Sequence, residues 1–558
     1  MFPIYLQNFS DIFTGNQILI YLIASAINSI VLFFVATKFL LVFQQCGYHG
    51  GRYMKWLKNK DTPYMSRLMI LCLLALLFFA VLAMCFISVT SETVASWLGF
   101  CAYLLFSVIY INTESSVNAK IPLKKTRRLV RLCITYTILA FALTFGLMVG
   151  IDYLAFLIGD NVVAVLRYCV LCLMPLLVPF ILLGAYCINE PFEYLARSHY
   201  YRIAHIKLNS IDVIKIAITG SFGKTSVKEI LKTILSQKYR VLATPASYNT
   251  PLGIALTVKN LDSTHDVLIT EMGARQNGDI KQLANMVKPH YGLLTGVNNQ
   301  HLESFGSIEN TKDTKFELFE YLQKDGVGFF SADNANALEL SQRFTGEKYL
   351  TGTMGEDNFV TATDIKTSVK GMTFTLNIQG EKPVKCTTTL LGVHSVRNIC
   401  LASAVAYKIG LSPREIATGI NRLQSVGHRL ELMPNNKNII VIDDSYNASV
   451  DGVNAAMDVL DTFNGRKIVV TPGLIELGKV EALANFEMGK ILAKHADLVI
   501  IIGKHNAVML INGLLEGGMA RENIRFAKSL NKGNEMLNGL IKEGDVVLFE
   551  NDLPDNYN

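Results

Sequence analysis

The stretch Gly220-Ser-Phe-Gly-Lys-Thr-Ser226 carries the residue types a backbone needs to wrap an anion. Gly220, Ser221 and Gly223 are small enough for successive N–H groups to converge on phosphate oxygens. Lys224 supplies a point charge suited to β- and γ-phosphates, and the Thr225 hydroxyl can reach a Mg²⁺ ion, with Ser226 beside it. The match to the eight-residue phosphate-loop pattern is incomplete, because the pattern's first glycine is missing. Position compensates for this. The loop follows the apolar run "IDVIKIAIT" and opens the helical stretch "VKEILKTIL", so it sits where a helix N-terminus meets a strand end. The competing reading is an ordinary strand-to-helix turn.

Further polar residues stand just past apolar runs, where α/β folds build their sites. Glu271 ends "DVLITE", His301 follows "GLLTGVNNQ", and Asp443 and Asp444 end "NIIVIDD"; Lys315 lies in the helical "TKDTKFELFEYL". Taken singly, a strand-end carboxylate is a helix cap, a lone histidine a packing residue and Lys315 a surface lysine. Taken with the loop, they form a set of hard ligands for Mg²⁺.

The elements that must hold these residues divide the chain in two. From about Ile211 onward, short β-rich runs ("VIKIAIT", "DVLITEM", "YGLLTGV", "NIIVIDD", "KIVVTPG", "DLVIIIG", "DVVLFE") alternate with amphipathic helical stretches. That pattern predicts buried parallel strands in doubly wound α/β domains. Residues 1–190 are instead dominated by apolar runs. Five of them, about 17–43, 68–90, 94–111, 129–150 and 162–188, are candidates to span a membrane. Lysine and arginine alternate between the connections: Arg52, Lys55, Lys58, Lys60 and Arg67 follow the first run, Lys120 to Arg128 the third, and Arg197, Arg202 and Lys207 the fifth, while the intervening connections have none. The alternation predicts an N-terminus outside and a catalytic half in the cytoplasm, at the inner or plasma membrane. Asn28, Glu114 and Arg167 are read as helix-packing or end-of-span groups, and Pro175 and Pro179 as a kink in the fifth span. The formal net charge of +6 falls mostly on the clusters flanking these runs, which argues against nucleic-acid binding. Eight of the ten cysteines lie in or beside the apolar segments; Cys169 and Cys172 are read as small apolar side chains rather than metal ligands.

In order along the chain, "ITGSFGKTSVKE", "TPASYNTPLGIALT", "ITEMGARQNGDIKQLANMVKPHYGLLTGVNNQHLESFGSIENTKDTKFEL", "LLGVHSVRNICLASAVAYKIGLSPREI", "GHRLEL", "VIDDSYNASVDGVNAAMDVL" and "TPGLIELG" resemble the Mur ligase family, most closely its MurF-type members, over about residues 205–550. The resemblance implies a central P-loop ATPase domain (196–428) and a C-terminal Rossmann-like α/β domain (429–558), here preceded by an α-helical membrane domain (1–195). It implies an ATP- and Mg²⁺-dependent amide ligase working through an acyl phosphate. Its substrates would be a UDP-linked or lipid-linked cell-envelope precursor and an amino acid or dipeptide. By motif match, Lys224 contacts the β/γ-phosphates, Thr225, Glu271 and His301 serve the metal sites, and Lys315 corresponds to the lysine that is often carbamylated. Asn398 falls near the adenine, Arg429 on the hinge side reaching the phosphates, and Asp444 near the ribose or hinge. Ser247, Tyr248, Asn249 and Thr250 fall where the acyl substrate binds, and Asn447 at the interdomain cleft.

Two departures qualify the resemblance. Apolar segments occupy the place of the domain that grips the UDP-sugar, and Glu550 in "DVVLFENDLPDNYN" stands where the family's last strand ends in lysine. "TPGLIELG" also replaces the more usual "LGDMLELG"-like turn. The alternatives are a poly-γ-glutamate-type synthase, a ligase acting on a lipid-linked glycan, an ATPase-driven transporter and an inactive scaffold.

Overall fold

The computed structural model describes residues 15–58, 64–86, 92–113, 123–158, 169–246, 248–298, 305–355, 357–368, 371–425, 427, 429–433, 438–445, 450–475, 477 and 480–551. Two compact units divide the chain between Ala196 and Arg197.

The first unit is helical. Its helices are Gly15–Gln45, Gly50–Leu57, Tyr64–Phe86, Glu92–Thr113, Arg127–Ile158 and the first part of Val178–Ser210. Three segments, Asn16–Gln45, Arg127–Leu154 and Cys169–Ser210, are long and apolar enough to cross a membrane. The expected second and third spans fall in helices of 23 and 22 residues, whose apolar stretches among the described residues are the shorter Arg67–Phe78 and Tyr103–Asn112. Five spans were expected, and among the described residues three helices are long and apolar enough. Asn28 is buried, donates to Thr144 Oγ1 at 2.9 Å and accepts from the Tyr103 hydroxyl, so it ties three helices together. Such bonds are needed because an amide buried between helices has no water partner. Glu114 and Arg167 lie outside the described residues. At Pro175 a 3₁₀ turn, Met174–Leu177, interrupts the helical path, and Pro179 then sits in the first turn of the next helix, where its missing N–H costs nothing. Arg131 Nε donates to Glu193 Oε1 at 2.8 Å, and Arg128 lies 3.4 Å from Glu190, an ion-pair ladder between two helices.

The second unit holds two sheets. The strands are β1 Ile214–Thr219, β2 Val241–Ala243, β3 Val267–Glu271, β4 Tyr291–Leu294, β5 Val327–Ser331, β6 Lys348–Gly352, β7 Val360–Ser368, β8 Gly371–Ile378 and β9 Val384–Thr388, then β10 Glu431–Met433, β11 Ile440–Asp444, β12 Lys467–Thr471, β13 Leu498–Ile502, β14 Ile524–Ala527 and β15 Val546–Glu550. The first sheet runs β2-β3-β1-β4-β5-β6-β7-β8-β9 and the second β10-β11-β15-β12-β13-β14. All seven apolar runs expected as parallel strands are parallel strands (β1, β3, β4, β11, β12, β13 and β15). They are apolar throughout because helices cover both faces: Ile216, Ile218 and Ile269 pack toward the helices Lys224–Leu235 and Val393–Lys408, while Ala217, Leu268 and Leu294 pack toward Pro251–Val258 and Asp279–Val287. The antiparallel β7-β8-β9 end of the first sheet is an addition to the expected pattern; its alternating exposure lacks a continuous apolar run.

In the second sheet Ile442, Val499, Ile501 and Leu548 face the helices Val450–Leu460, Glu481–His495 and Ala507–Glu516. The last two cross at Gly489 and Gly513. A Cβ on Gly513 would fall 2.0 Å from the Phe486 carbonyl oxygen. Gly513→Ala is therefore expected to lower stability by about 1–3 kcal/mol, read as an earlier urea midpoint for the C-terminal transition; an unchanged midpoint would show that the two helices can move apart freely.

Candidate active site

β1 delivers the chain to Gly220, whose φ of +148° and close approach to Thr295 (a Cβ would lie 2.1 Å from its Oγ1) admit only glycine. Gly223, at φ +74°, caps the helix Lys224–Leu235 in the left-handed conformation. The loop between them is pinned from β4: Ser221 N–H donates to the Gly296 carbonyl at 2.8 Å, and Asn298 N–H donates to Ser221 Oγ at 3.3 Å. Ser226 lies in the first turn of the helix. The Asn398 side chain packs against Gly223, where a Cβ would meet its Oδ1 at 3.1 Å, so Asn398 stands at the loop.

Lys224 opens the helix and folds back over the loop. Its Nζ donates to the carbonyls of Gly220 (2.8 Å) and Ser221 (3.2 Å). Burial, opposed by Glu271 and aided by Arg429, lowers its pKa to about 8. Polyphosphate oxygens would give this ammonium the negative partner that the two carbonyls replace only in part.

Thr225 donates from Oγ1 to Glu271 Oε2 at 2.9 Å. Glu271, almost fully buried at the end of β3, also accepts from Asn249 Nδ2 (3.3 Å, at Oε1) and lies 3.4 Å from Lys228 Nζ. A hydroxyl and a carboxylate side by side beneath a phosphate loop are the hard oxygen donors Mg²⁺ takes, and Thr225 and Glu271 would hold it together with phosphate oxygens and water. Lys228 was absent from the sequence reading. It is fully buried, donates to the Ala246 carbonyl and pairs with Glu271. The signal was its i+4 spacing from Lys224, which puts both lysines on one helix face.

Lys315 is buried on the helix Ile308–Glu320, with Nζ 5.6 Å from the centre of the Phe305 ring. Burial lowers its pKa to about 7, and repulsion from Lys224 adds to the fall. Arg429 acts electrostatically on Lys224, His394 and Asp444, so it joins the loop side to the second sheet. His394, given no role from sequence, is buried and driven to a pKa of about 4 by burial, Arg397 and Arg429, which leaves it neutral. Asp444 accepts from Leu430 N–H at 3.2 Å, and burial raises its carboxyl to about 6.

The expected acyl-substrate residues separate. Asn249 is at the Glu271 carboxylate, and Tyr248 is exposed. Thr250 caps the helix Pro251–Val258, accepting from Gly253 N–H at 3.3 Å, so its hydroxyl is already used in holding that turn. Ser247, His301 and Asn447 lie outside the described residues. Lys224, Thr225, Glu271, Asn249 and Asn398 surround the loop, with Lys315 and Arg429 within electrostatic reach of Lys224.

Residues 218–406 match the Mur ligase middle domain and residues 428–550 the Mur ligase glutamate ligase domain. Among curated relatives, the UDP-N-acetylmuramoyl-tripeptide–D-alanyl-D-alanine ligase of Escherichia coli is 32% identical over 308 residues, covering 54% of this chain and 67% of that protein. The enzyme of the same name from Haemophilus influenzae is 31% identical, with 53% and 65% covered, and that of Bacillus subtilis 28%, with 62% and 75%. The chain thus spans just under two thirds of the Haemophilus influenzae protein's length. Among solved structures, MurF from Acinetobacter baumannii has the same fold with a TM-score of 0.59 at 24% identity, over 65% of this chain and 78% of that one. MurF from Thermotoga maritima in complex with ADP gives 0.57 at 24%, over 64% and 80%.

Two outcomes test the electrostatics of this site. Lys228→Met leaves the Glu271 charge buried without its ion partner and should cost about 3–5 kcal/mol of stability in thermal or urea unfolding; a loss below 1 kcal/mol would mean that Thr225 and Asn249 suffice. For Lys315, the native pKa is lowered from the ordinary 10.5 to about 7. The cost of burying its charge is fully present below pH 7 and fades as pH rises toward 10.5. In ligand-free protein, Lys315→Met should therefore stabilise by a few kcal/mol, on the order of the shift, at pH 6, with the gain shrinking steadily to pH 10. A gain independent of pH would place the effect in packing.

Proposed function

Since the chain belongs to the Mur ligase family, we propose that it is a membrane-anchored, ATP-dependent amide ligase that joins D-alanyl-D-alanine, or another amino acid or dipeptide, to a carboxylate of a cell-envelope precursor. The observation that carries this reading is the Lys224–loop–Thr225–Glu271 arrangement, a phosphate cradle with an Mg²⁺-type donor pair at its base. The relatives named for D-alanyl-D-alanine ligation support the substrate class.

In this mechanism the acceptor carboxylate attacks the γ-phosphate of ATP, giving an acyl phosphate and ADP. The incoming amine then attacks the acyl carbon, and phosphate leaves. Lys224 turns from the loop carbonyls to the β/γ-oxygens, and Arg429 adds charge from the other side. Their work is positioning and neutralisation, the larger part of catalysis in phosphoryl transfer. Bound Mg²⁺ would supply charge neutralisation across the phosphates. Lys315, buried and close to neutral at physiological pH, has the free amine that reacts with CO₂; as a carbamate it would exchange a cation repelled by Lys224 for a carboxylate-like group. Asn398, packed on Gly223, serves the nucleotide.

The apolar helices of residues 1–196 favour anchorage in the inner or plasma membrane, with the N-terminus outside and the ligase unit in the cytoplasm, as the alternation of Lys and Arg indicates. They also favour an acceptor presented at the membrane, lipid-linked rather than free, as a second reading.

The full chain in detergent should release ADP only when an acceptor carboxylate and an amine are both present. UDP-muramoyl-tripeptide and a lipid-linked counterpart, each with D-alanyl-D-alanine, separate the two acceptor readings. ATP turnover without acceptor would point to transport and overturn the ligase reading. Lys224→Ala should lower ligation by at least about 100-fold, in the range of a lost charge clamp at a phosphoryl site. Intact ligation in that variant would refute the site.

A further inference from the structure

The buried carboxyl of Glu550 has no part in the mechanism above. Glu550 ends β15 and is paired in register with Asp444 at the end of β11. Adjacent parallel strands in register send such side chains to the same face of the sheet, here the face carrying Ile442 and Leu548. Glu550 is fully buried, and neither of its carboxyl oxygens has a hydrogen-bond partner. Asp444 is only half-buried, so it is the solvent-facing member of the pair, with Glu550 behind it.

Two facing carboxyls, one lacking every donor, make an unsatisfied site. Burial and the neighbouring Asp444 push the Glu550 carboxyl well above its usual range, and Asp444 is raised to about 6. Among the described residues, the charged and polar groups around the pair are Arg429 and Asp443, which act on Asp444, the Leu430 N–H donated to the Asp444 carboxyl, and the Asn551 N–H donated to the Asp444 carbonyl. None of them reaches the Glu550 oxygens. A group with several N–H donors, no acceptor and one positive charge would satisfy both carboxyls at once, and an alkylammonium is that group.

The geometry points to Asp444 and Glu550 as the seat of the ammonium group of the incoming amino acid or dipeptide, with Glu550 as a specificity-determining residue of the ligase. This rests on the ligase reading. The attacking amine must lose a proton before its lone pair can form the C–N bond. An Asp444 carboxylate beside the ammonium would accept that proton, and the freed amine attacks the acyl carbon as phosphate leaves.

The test uses full-length protein with D-alanyl-D-alanine as the amine and UDP-muramoyl-tripeptide or its lipid-linked counterpart as the acceptor. Wild-type ligation is established first, and its absence would refute the ligase reading rather than this one. Glu550→Gln keeps the shape and removes the charge. It is expected to raise the KM for D-alanyl-D-alanine at least tenfold, to leave the KM for ATP within twofold, and to leave amine-independent acyl-phosphate formation unchanged. Glu550→Leu should raise the amine KM similarly while keeping or increasing the Tm, because it removes a buried carboxyl that has no donor. If Glu550→Gln ligates with an unchanged amine KM, or if both variants alter Tm without altering that KM, Glu550 is a structural residue and the assignment fails.

Discussion

The Glu271 carboxylate is the constraint around which the catalytic half is arranged. It ends a strand buried on both faces and is almost wholly withdrawn from water, so an ion there persists only if the surroundings supply donors. Thr225 and Lys228 come from the helix that follows the phosphate loop, and Asn249 from the segment before the helix Pro251–Val258. Thr244 adds its hydroxyl to the Glu271 backbone N–H at 3.1 Å. Meeting the needs of one charge thereby fixes the register of loop, helix and strand. The metal-type donor pair and the cradle then come as one assembly, and a loop able to flex independently would not keep Thr225 at hydrogen-bond distance from Glu271.

How much of this was legible in the sequence follows from the kind of signal each residue leaves. The parallel strands were legible because burial on both faces demands unbroken apolar runs, and β1, β3 and β13 have them. The β7-β8 hairpin left no such run, since one side of it meets water. Lys224, Thr225 and Glu271 could be read from the loop pattern and a strand end. Lys228 could not, because a lysine in "KTSVKEILK" looks like a solvated helix face until the neighbouring carboxylate is known to be buried. Thr250 shows a different kind of signal: a hydroxyl in a polar stretch reads equally as a ligand or a cap, and here it caps the helix Pro251–Val258. Asp444 and Glu550 are far apart in sequence, and only the pairing of β11 with β15 brings them together.

The two units solve the burial of polar groups in different ways. In the helical unit a buried polar side chain finds its partner across helices, as Asn28 does with Thr144 and Tyr103, because water does not reach it. Near the start of the helix Arg127–Ile158 the charges return, and Arg128 and Arg131 meet Glu190 and Glu193 as the sequence leaves its apolar run. The change from hydroxyl and amide pairs to full ion pairs falls where the sequence itself turns from apolar to charged.

Within the second unit the buried charges are sorted by sign, and the sorting has chemical meaning. Around the phosphate loop Lys224 is opposed by Arg429 and Lys315 by Lys224, while Glu271 is already engaged by Lys228. At the end of the second sheet Asp444 and Glu550 repel each other and are short of positive charge. Each cluster is costly in the free protein, and each would be relieved by a ligand of opposite sign: polyphosphate in one place and an ammonium in the other. A reaction that needs both an anionic nucleotide and a cationic amine would load the two sites with complementary charges. Arg429 acts electrostatically on Lys224 and on Asp444 alike.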